Sequence, residues 1–237
     1  MGLITASFKI AGQILKTKEG ENMIVAEVKP MAEIQETIKK YGKVLITGCG
    51  SCVTVCLSGG AQQVEVLASS LRTAAKAQGQ QLELGEETQV RQCDPMFIEQ
   101  IKDKAAGYEA ILSMGCGAGV QTMAETLGNI PVYPALDTVF FGGADGKGGF
   151  VETCAACGQC ILSRTGGVCP VARCAKSLAD GPCGGAQEGN CEVDKDTRCA
   201  WQLIYVRMMR LGQLHILKEI NPPKAARVHP ARLKREE

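Results

Sequence analysis

Lys43–Cys56 reads KVLITGCGSCVTVC, a short apolar run that stops at glycine and passes into a loop carrying three cysteines. Apolar runs of this length, bounded by glycine, form strands buried on both faces of a parallel sheet. Downstream the pattern alternates. Ala61–Ala77 (AQQVEVLASSLRTAAKA) is Ala-rich with apolar residues at helical spacing. Thr88–Gln92 (TQVRQ) predicts a second strand, and Pro95–Ala106 a helix with proline near its start. Glu109–Met114 (EAILSM) predicts a third strand, Ala118–Leu127 a helix, and Pro131–Phe140 (PVYPALDTVF) closes the series. Repeated βα units imply a parallel sheet with helices on both faces. The expected fold class is α/β: a Rossmann- or flavodoxin-like sheet followed by a small cysteine-rich metal-binding domain.

Shifts in composition set the expected boundaries. Residues 1–22 are a weakly amphipathic N-terminal extension, and 23–141 the α/β domain with a metal site at its sheet edge. Residues 142–150, within the glycine-rich FFGGADGKGGF (Phe140–Phe150), read as a linker. Residues 151–220 form a cysteine-rich cluster domain that ends in a helix over Trp201–Glu219. Residues 221–237 are a basic, proline-broken tail.

The chain has 237 residues, 45% hydrophobic, enough for a sizeable core. Aromatics are 4%, so a stacking platform for nucleic acid is not expected. The net charge of +1 argues against electrostatic capture of DNA or anionic lipid. The N-terminus lacks the apolar core and cleavage site of a secretory signal, and no apolar run reaches the ~20 residues needed to span a bilayer. A cytoplasmic location is expected, where thiols stay reduced and cysteines serve as ligands rather than disulfides.

Eight of the 13 cysteines fall between Cys154 and Cys199, spaced C-x2-C-x2-C-x8-C-P-x3-C-x8-C-x7-C-x7-C. They are Cys154, Cys157, Cys160, Cys169, Cys174, Cys183, Cys191 and Cys199. Thiolates are the soft ligands of iron–sulfur clusters and zinc, and two-residue gaps let successive cysteines surround one centre. The two histidines, His215 and His229, lie outside the stretch. Eight thiolates suit two four-ligand sites, either two [4Fe–4S] clusters or one cluster and one zinc, and spacing does not choose between them. Arg164, Arg173, Lys176 and Arg198 are interleaved as solvated loop charges or as counter-charges to anionic clusters, and Trp201 reads as a core anchor.

The other five are Cys49, Cys52, Cys56, Cys93 and Cys116. Cys49, Cys93 and Cys116 each follow a predicted strand, so all three belong at the carboxyl edge of the sheet, where doubly wound folds bind ligands. Cys52 and Cys56 lie one turn beyond. Four or five thiolates there suit one [4Fe–4S] cluster, with Cys93 as the spare or fifth ligand. Gly115, Gly117 and Gly119 do not complete a dinucleotide fingerprint; close backbone approach explains them as well.

The run CAACGQCILSRTGGVCPVARCAKSLADGPCGGAQEGNCEVDKDTRCAWQLIYVRM, with GCGSCVTVC and SMGCGAGVQ upstream, resembles the methylenetetrahydrofolate reductase C-terminal domain family, and within it the iron–sulfur (MetV-type) subunits of acetogen-type reductases. The resemblance spans about residues 23–220. It implies metal at the matched cysteines and a partner of MetF type, a TIM barrel that carries FMN and binds the folate. It further implies single-electron transfer to that FMN for reduction of methylene- to methyl-tetrahydrofolate, in the methyl branch of the Wood–Ljungdahl pathway. No Cys–His pair, paired carboxylates or phosphate loop suggests independent catalysis. Two other readings fit the residues: a zinc-stapled structural adaptor, and an independent cluster-based enzyme.

Overall fold

The computed structural model describes residues 24–220 and Pro222. In chain order the elements are β1 (Val25–Val28), α1 (Met31–Ile38), β2 (Lys43–Cys49), α2 (Cys52–Val55), α3 (Ala61–Ala77), β3 (Glu83–Gln89), α4 (Pro95–Glu99), α5 (Lys102–Ala105), β4 (Ala110–Met114), α6 (Gly117–Leu127), β5 (Val132–Pro134), β6 (Leu136–Ala144), β7 (Phe150–Cys154), α7 (Pro170–Arg173) and α8 (Ala200–Arg210). Short 3₁₀ helices cover Leu162–Arg164 and Leu214–Lys218. The N-terminal extension and all but Pro222 of the basic tail lie outside the described residues.

Two compact units emerge, one comprising Val28–Asp137 and the other Ile24–Glu27 with the chain from Thr138 onward. The first is a four-stranded parallel sheet in the order β3-β2-β4-β5. Counted within the sheet this is 2-1-3-4, the order of flavodoxin-like folds, whose switch point lies between the first and third strands. Here that point falls between the carboxyl ends of β2 and β4.

The central strands are legible because they are buried from Val44 to Cys49 and from Ala110 to Met114. Val44, Leu45, Ile46 and Thr47 of β2 and Ala110, Ile111, Leu112 and Ser113 of β4 are wholly buried. Leu45 and Ile111 pack with Ile98, Ile101, Ala105, Met123 and Leu127 of the α4–α6 layer. The opposite face of β2 meets α3, which buries Val64, Leu67, Ala68, Leu71 and Ala75 at helical intervals.

The second unit is built differently. β1, β6 and β7 form a three-stranded sheet in the order β1-β6-β7, with β6 and β7 antiparallel. The glycine-rich segment expected as a linker is instead the tip of the β6–β7 hairpin. Asp145 accepts hydrogen bonds from the N–H groups of Lys147 and Gly149, and the Asp145 N–H donates to the Gly149 carbonyl, closing the turn. Pro131–Phe140 divides between the two sheets, at β5 and β6.

Three further expectations shift. The second strand starts earlier, at Glu83, because ELGEETQ is a polar edge strand that borrows its order from pairing with β2. The Pro95–Ala106 helix is two short helices, and the Trp201–Glu219 helix ends at Arg210, before Gly212 at φ +68°. Ile111→Ala, which removes a fully buried side chain from the central strand, should cost about 3 kcal/mol in denaturant unfolding of the first unit.

Candidate metal centres

All 13 cysteines are thiols rather than disulfides. In the first unit, Cys49 is the last residue of β2, Cys52 opens α2, and Cys116 caps the N-terminus of α6. Cys93 lies between the end of β3 and α4, immediately before the capping residue Asp94. These positions flank the switch point.

Electrostatics ties the four together. Burial pushes the Cys49 thiol above its ordinary value, and the neighbouring Cys116 and Cys52 sulfurs push the same way. Cys93 is exposed at the surface, and its thiol is raised by partial desolvation first and then by Cys116 and Cys49. Cys93, expected as the spare, therefore sits electrically beside Cys49 and Cys116. The Cys56 sulfur lies 3.1 Å from Ser58 Oγ and 3.6 Å from the Val53 carbonyl.

A fully buried glutamine sets this geometry. Gln92 Nε2 donates to the carbonyls of Thr47 (3.1 Å) and Gly48 (2.9 Å), and its Oε1 accepts from Ser113 Oγ (2.6 Å). One side chain thus clamps the ends of β2 and β4 and fixes the backbone from which Cys93 projects. It also accounts for two of the glycines. A Cβ at Gly115 would lie 2.1 Å from Gln92 Oε1, and one at Gly119 2.8 Å from Gln92 Cβ. Sequence reasoning missed Gln92, because a glutamine after a strand belongs to no recognisable motif.

In the second unit, Cys174, Cys183, Cys191 and Cys199 line a single small cavity of about 10 Å³, with Glu192 and Arg173. That is room for about one water-sized sphere. Lys176 pairs with Glu192 here. The lysine holds the Glu192 carboxyl below the usual carboxylate range, and a hydrogen bond from Cys183 adds to it. The Gly185 N–H points at Cys183 Sγ (3.5 Å), and Cys199 caps α8.

The other four group around one strand–helix pair. Cys154 ends β7, Cys169 caps α7, and α7 packs against β7. Cys157 and Cys160 lie on the loop leaving β7, where the Ala156 N–H, with Ala156 at φ +49°, points at Cys154 Sγ (3.4 Å). Of the interleaved cations, Arg164 pairs with Glu219 at 3.4 Å. Trp201 is half-buried and donates from Nε1 to the Leu178 carbonyl at 2.8 Å.

Among the described residues, no group of three or more Cys, His, Asp or Glu side chains is closed into a geometry that could hold a metal ion. The thiols are assembled as neighbours, and a closed cage would need them deprotonated and drawn onto a cation. As a donor set, each group of four suits iron–sulfur clusters or zinc and is unlike the oxygen sets of calcium or magnesium.

Comparison with known proteins adds a family. Residues 133–227 are similar to the family described as methylene-tetrahydrofolate reductase C terminal. No curated protein matches the chain. Among solved structures, an extracellular ligand-binding receptor from Verminephrobacter eiseniae ef01-2 is similar at 14% identity with a TM-score of 0.32. The match covers 44% of this chain and 28% of that one, so the chain spans less than a third of the receptor's length. Among the described residues, no helix is long and apolar enough to cross a membrane.

A raised thiol is under-ionised, and only the thiolate reacts. In metal-free protein, Cys93 should therefore alkylate more slowly at pH 8 than an unperturbed cysteine, and its rate should keep rising above the ordinary thiol range. Peptide mass spectrometry after timed alkylation checks this.

Proposed function

We propose that this chain, similar over residues 133–227 to the methylenetetrahydrofolate reductase C-terminal family, is a MetV-type iron–sulfur subunit of such a reductase. The thirteen thiols divide into three four-sulfur centres and one cysteine apart. The first centre takes Cys49, Cys52, Cys93 and Cys116; the second Cys154, Cys157, Cys160 and Cys169; the third Cys174, Cys183, Cys191 and Cys199. Cys56 stands outside. The observation that carries this reading is the gathering of the third quartet on one cavity. It supports dividing the eight cysteines of the second unit into two sets of four, where spacing alone makes no choice.

Bound at such sites, a [4Fe–4S] cluster exchanges single electrons. The chain's own part is to hold and tune. The Cys116 and Cys199 helix caps supply partial positive charge, and the amides of Ala156 and Gly185 point at sulfur. Lys176 and Glu192 balance charge beside Cys183 and Cys191. In this role the subunit passes electrons to the FMN of a MetF-type partner that binds the folate. Reduction of methylene- to methyl-tetrahydrofolate then takes place on the partner.

The third quartet has a second reading. Four thiols around one small cavity also suit a single tetrahedral zinc ion at that position. Zinc there would staple the second unit while the other two centres carry electrons.

Single substitutions test the partition. On anaerobically purified protein, Cys116→Ala, Cys157→Ala and Cys191→Ala should each remove one centre, about a third of the bound metal, and Cys56→Ala none. Cys116→Ala should also slow reduction of the partner's FMN. Metal loss in Cys56→Ala, or complete iron loss in any one of the other variants, would contradict the assignment.

A further inference from the structure

Two glutamines three positions apart are buried at the same sheet edge, and they differ in one respect. Gln92 is fully hydrogen-bonded, as described above. Gln89, the last residue of β3, is 5% exposed, yet neither its Nε2 nor its Oε1 has a hydrogen-bond partner in the protein. They are the only buried side-chain nitrogen and oxygen atoms so placed among the described residues. A buried amide left unpaired is destabilising, so it calls for a partner that the protein atoms do not provide.

Its place in the sheet says where that partner lies. Gln89 is the register partner of Cys49, so the two side chains leave the sheet on the same face. That face is the one covered by α4–α6. Two residues earlier on β2, Thr47 Oγ1 donates to Met123 Sδ of α6 at 3.6 Å, whereas a Cβ at Gly48 would point the other way, 2.8 Å from Val64 of α3. The Gly50 N–H donates to the Gln89 carbonyl at 2.8 Å, tying the backbone of the Cys49 loop to the same residue. An unpaired amide thus stands next to Cys49, at the site where four thiols converge.

We infer that Gln89 is a positioning and tuning residue for the centre held by Cys49, Cys52, Cys93 and Cys116, its amide Nε2 donating to sulfur on that centre when it is bound. This rests on the proposed metal assignment. A hydrogen bond to sulfur offsets negative charge and favours the reduced form. The centre at this edge would thereby accept electrons more readily than the same four cysteines alone would allow.

The test uses the anaerobically purified full chain. The relevant centre is first identified as the electron paramagnetic resonance signal that Cys116→Ala removes. Gln89→Met keeps length and volume but removes the amide. It should retain the metal and lower the midpoint of that centre, changing the oxidised-to-reduced ratio at fixed potential about three- to tenfold. Tenfold corresponds to about 59 mV for a one-electron couple. The other centres should not move.

A retained centre with unchanged midpoint and signal overturns the inference and leaves the metal assignment standing. Wild-type protein lacking any signal sensitive to Cys116→Ala overturns both. Should Gln89→Met not fold, Gln89→Glu, an acceptor without the N–H donor, should shift the midpoint in the same direction. Loss of the centre in both variants with the fold intact would make Gln89 an assembly residue and overturn the tuning role.

Discussion

Sulfur ligands need a cation, and the second unit has little else to hold it. Among the described residues its buried apolar side chains are few, chiefly Val25, Ala26, Ala200, Ile204 and Met208, against eight cysteines spread over 46 residues. A core that small does not offset the conformational entropy of the long, turn-rich segment between β7 and α8. Metal–thiolate bonds do this in small metallo-domains, where binding energy becomes folding energy. The local structure is consistent with such a frame: amides aimed at sulfur, cysteines capping helices, and a Lys176–Glu192 pair beside the third quartet.

The first unit solves the opposite problem. Its core is ample, and the sheet stands on Leu45, Ile46, Ile111 and Leu112 without help from any metal. Here the fold serves the site. Parallel strands in the 2-1-3-4 order part at the carboxyl ends of β2 and β4, and Gln92 fixes that divergence with three hydrogen bonds. Burial pushes the Cys49 thiol up, and neighbouring sulfurs raise Cys49 and Cys93 alike. On the proposed assignment, metal uptake at this edge releases protons and weakens as pH falls.

What the sequence disclosed follows the same division. β2, α3, β4 and α6 were readable because a buried parallel strand and an amphipathic helix each leave a periodic trace. β3 was misplaced by several residues because an edge strand of Glu, Thr and Gln carries no apolar pattern. The β6–β7 hairpin looked like a linker because its turn is made of the glycines that linkers also use. At the proposed sites, cysteine spacing marked the candidate donors but not their grouping, which depends on contacts between turns far apart in sequence. Gln89 and Gln92 were invisible for a simpler reason: an amide's role lies in what it touches.

The central claim is that these thiols hold redox-active iron. The most direct measurement is iron, zinc and acid-labile sulfide per chain on anaerobically purified protein. This account predicts about eight to twelve irons with matching sulfide, and zinc only where iron stops at about eight. Zinc with little iron or sulfide, persisting after anaerobic reconstitution, would contradict it and leave a stapled structural subunit.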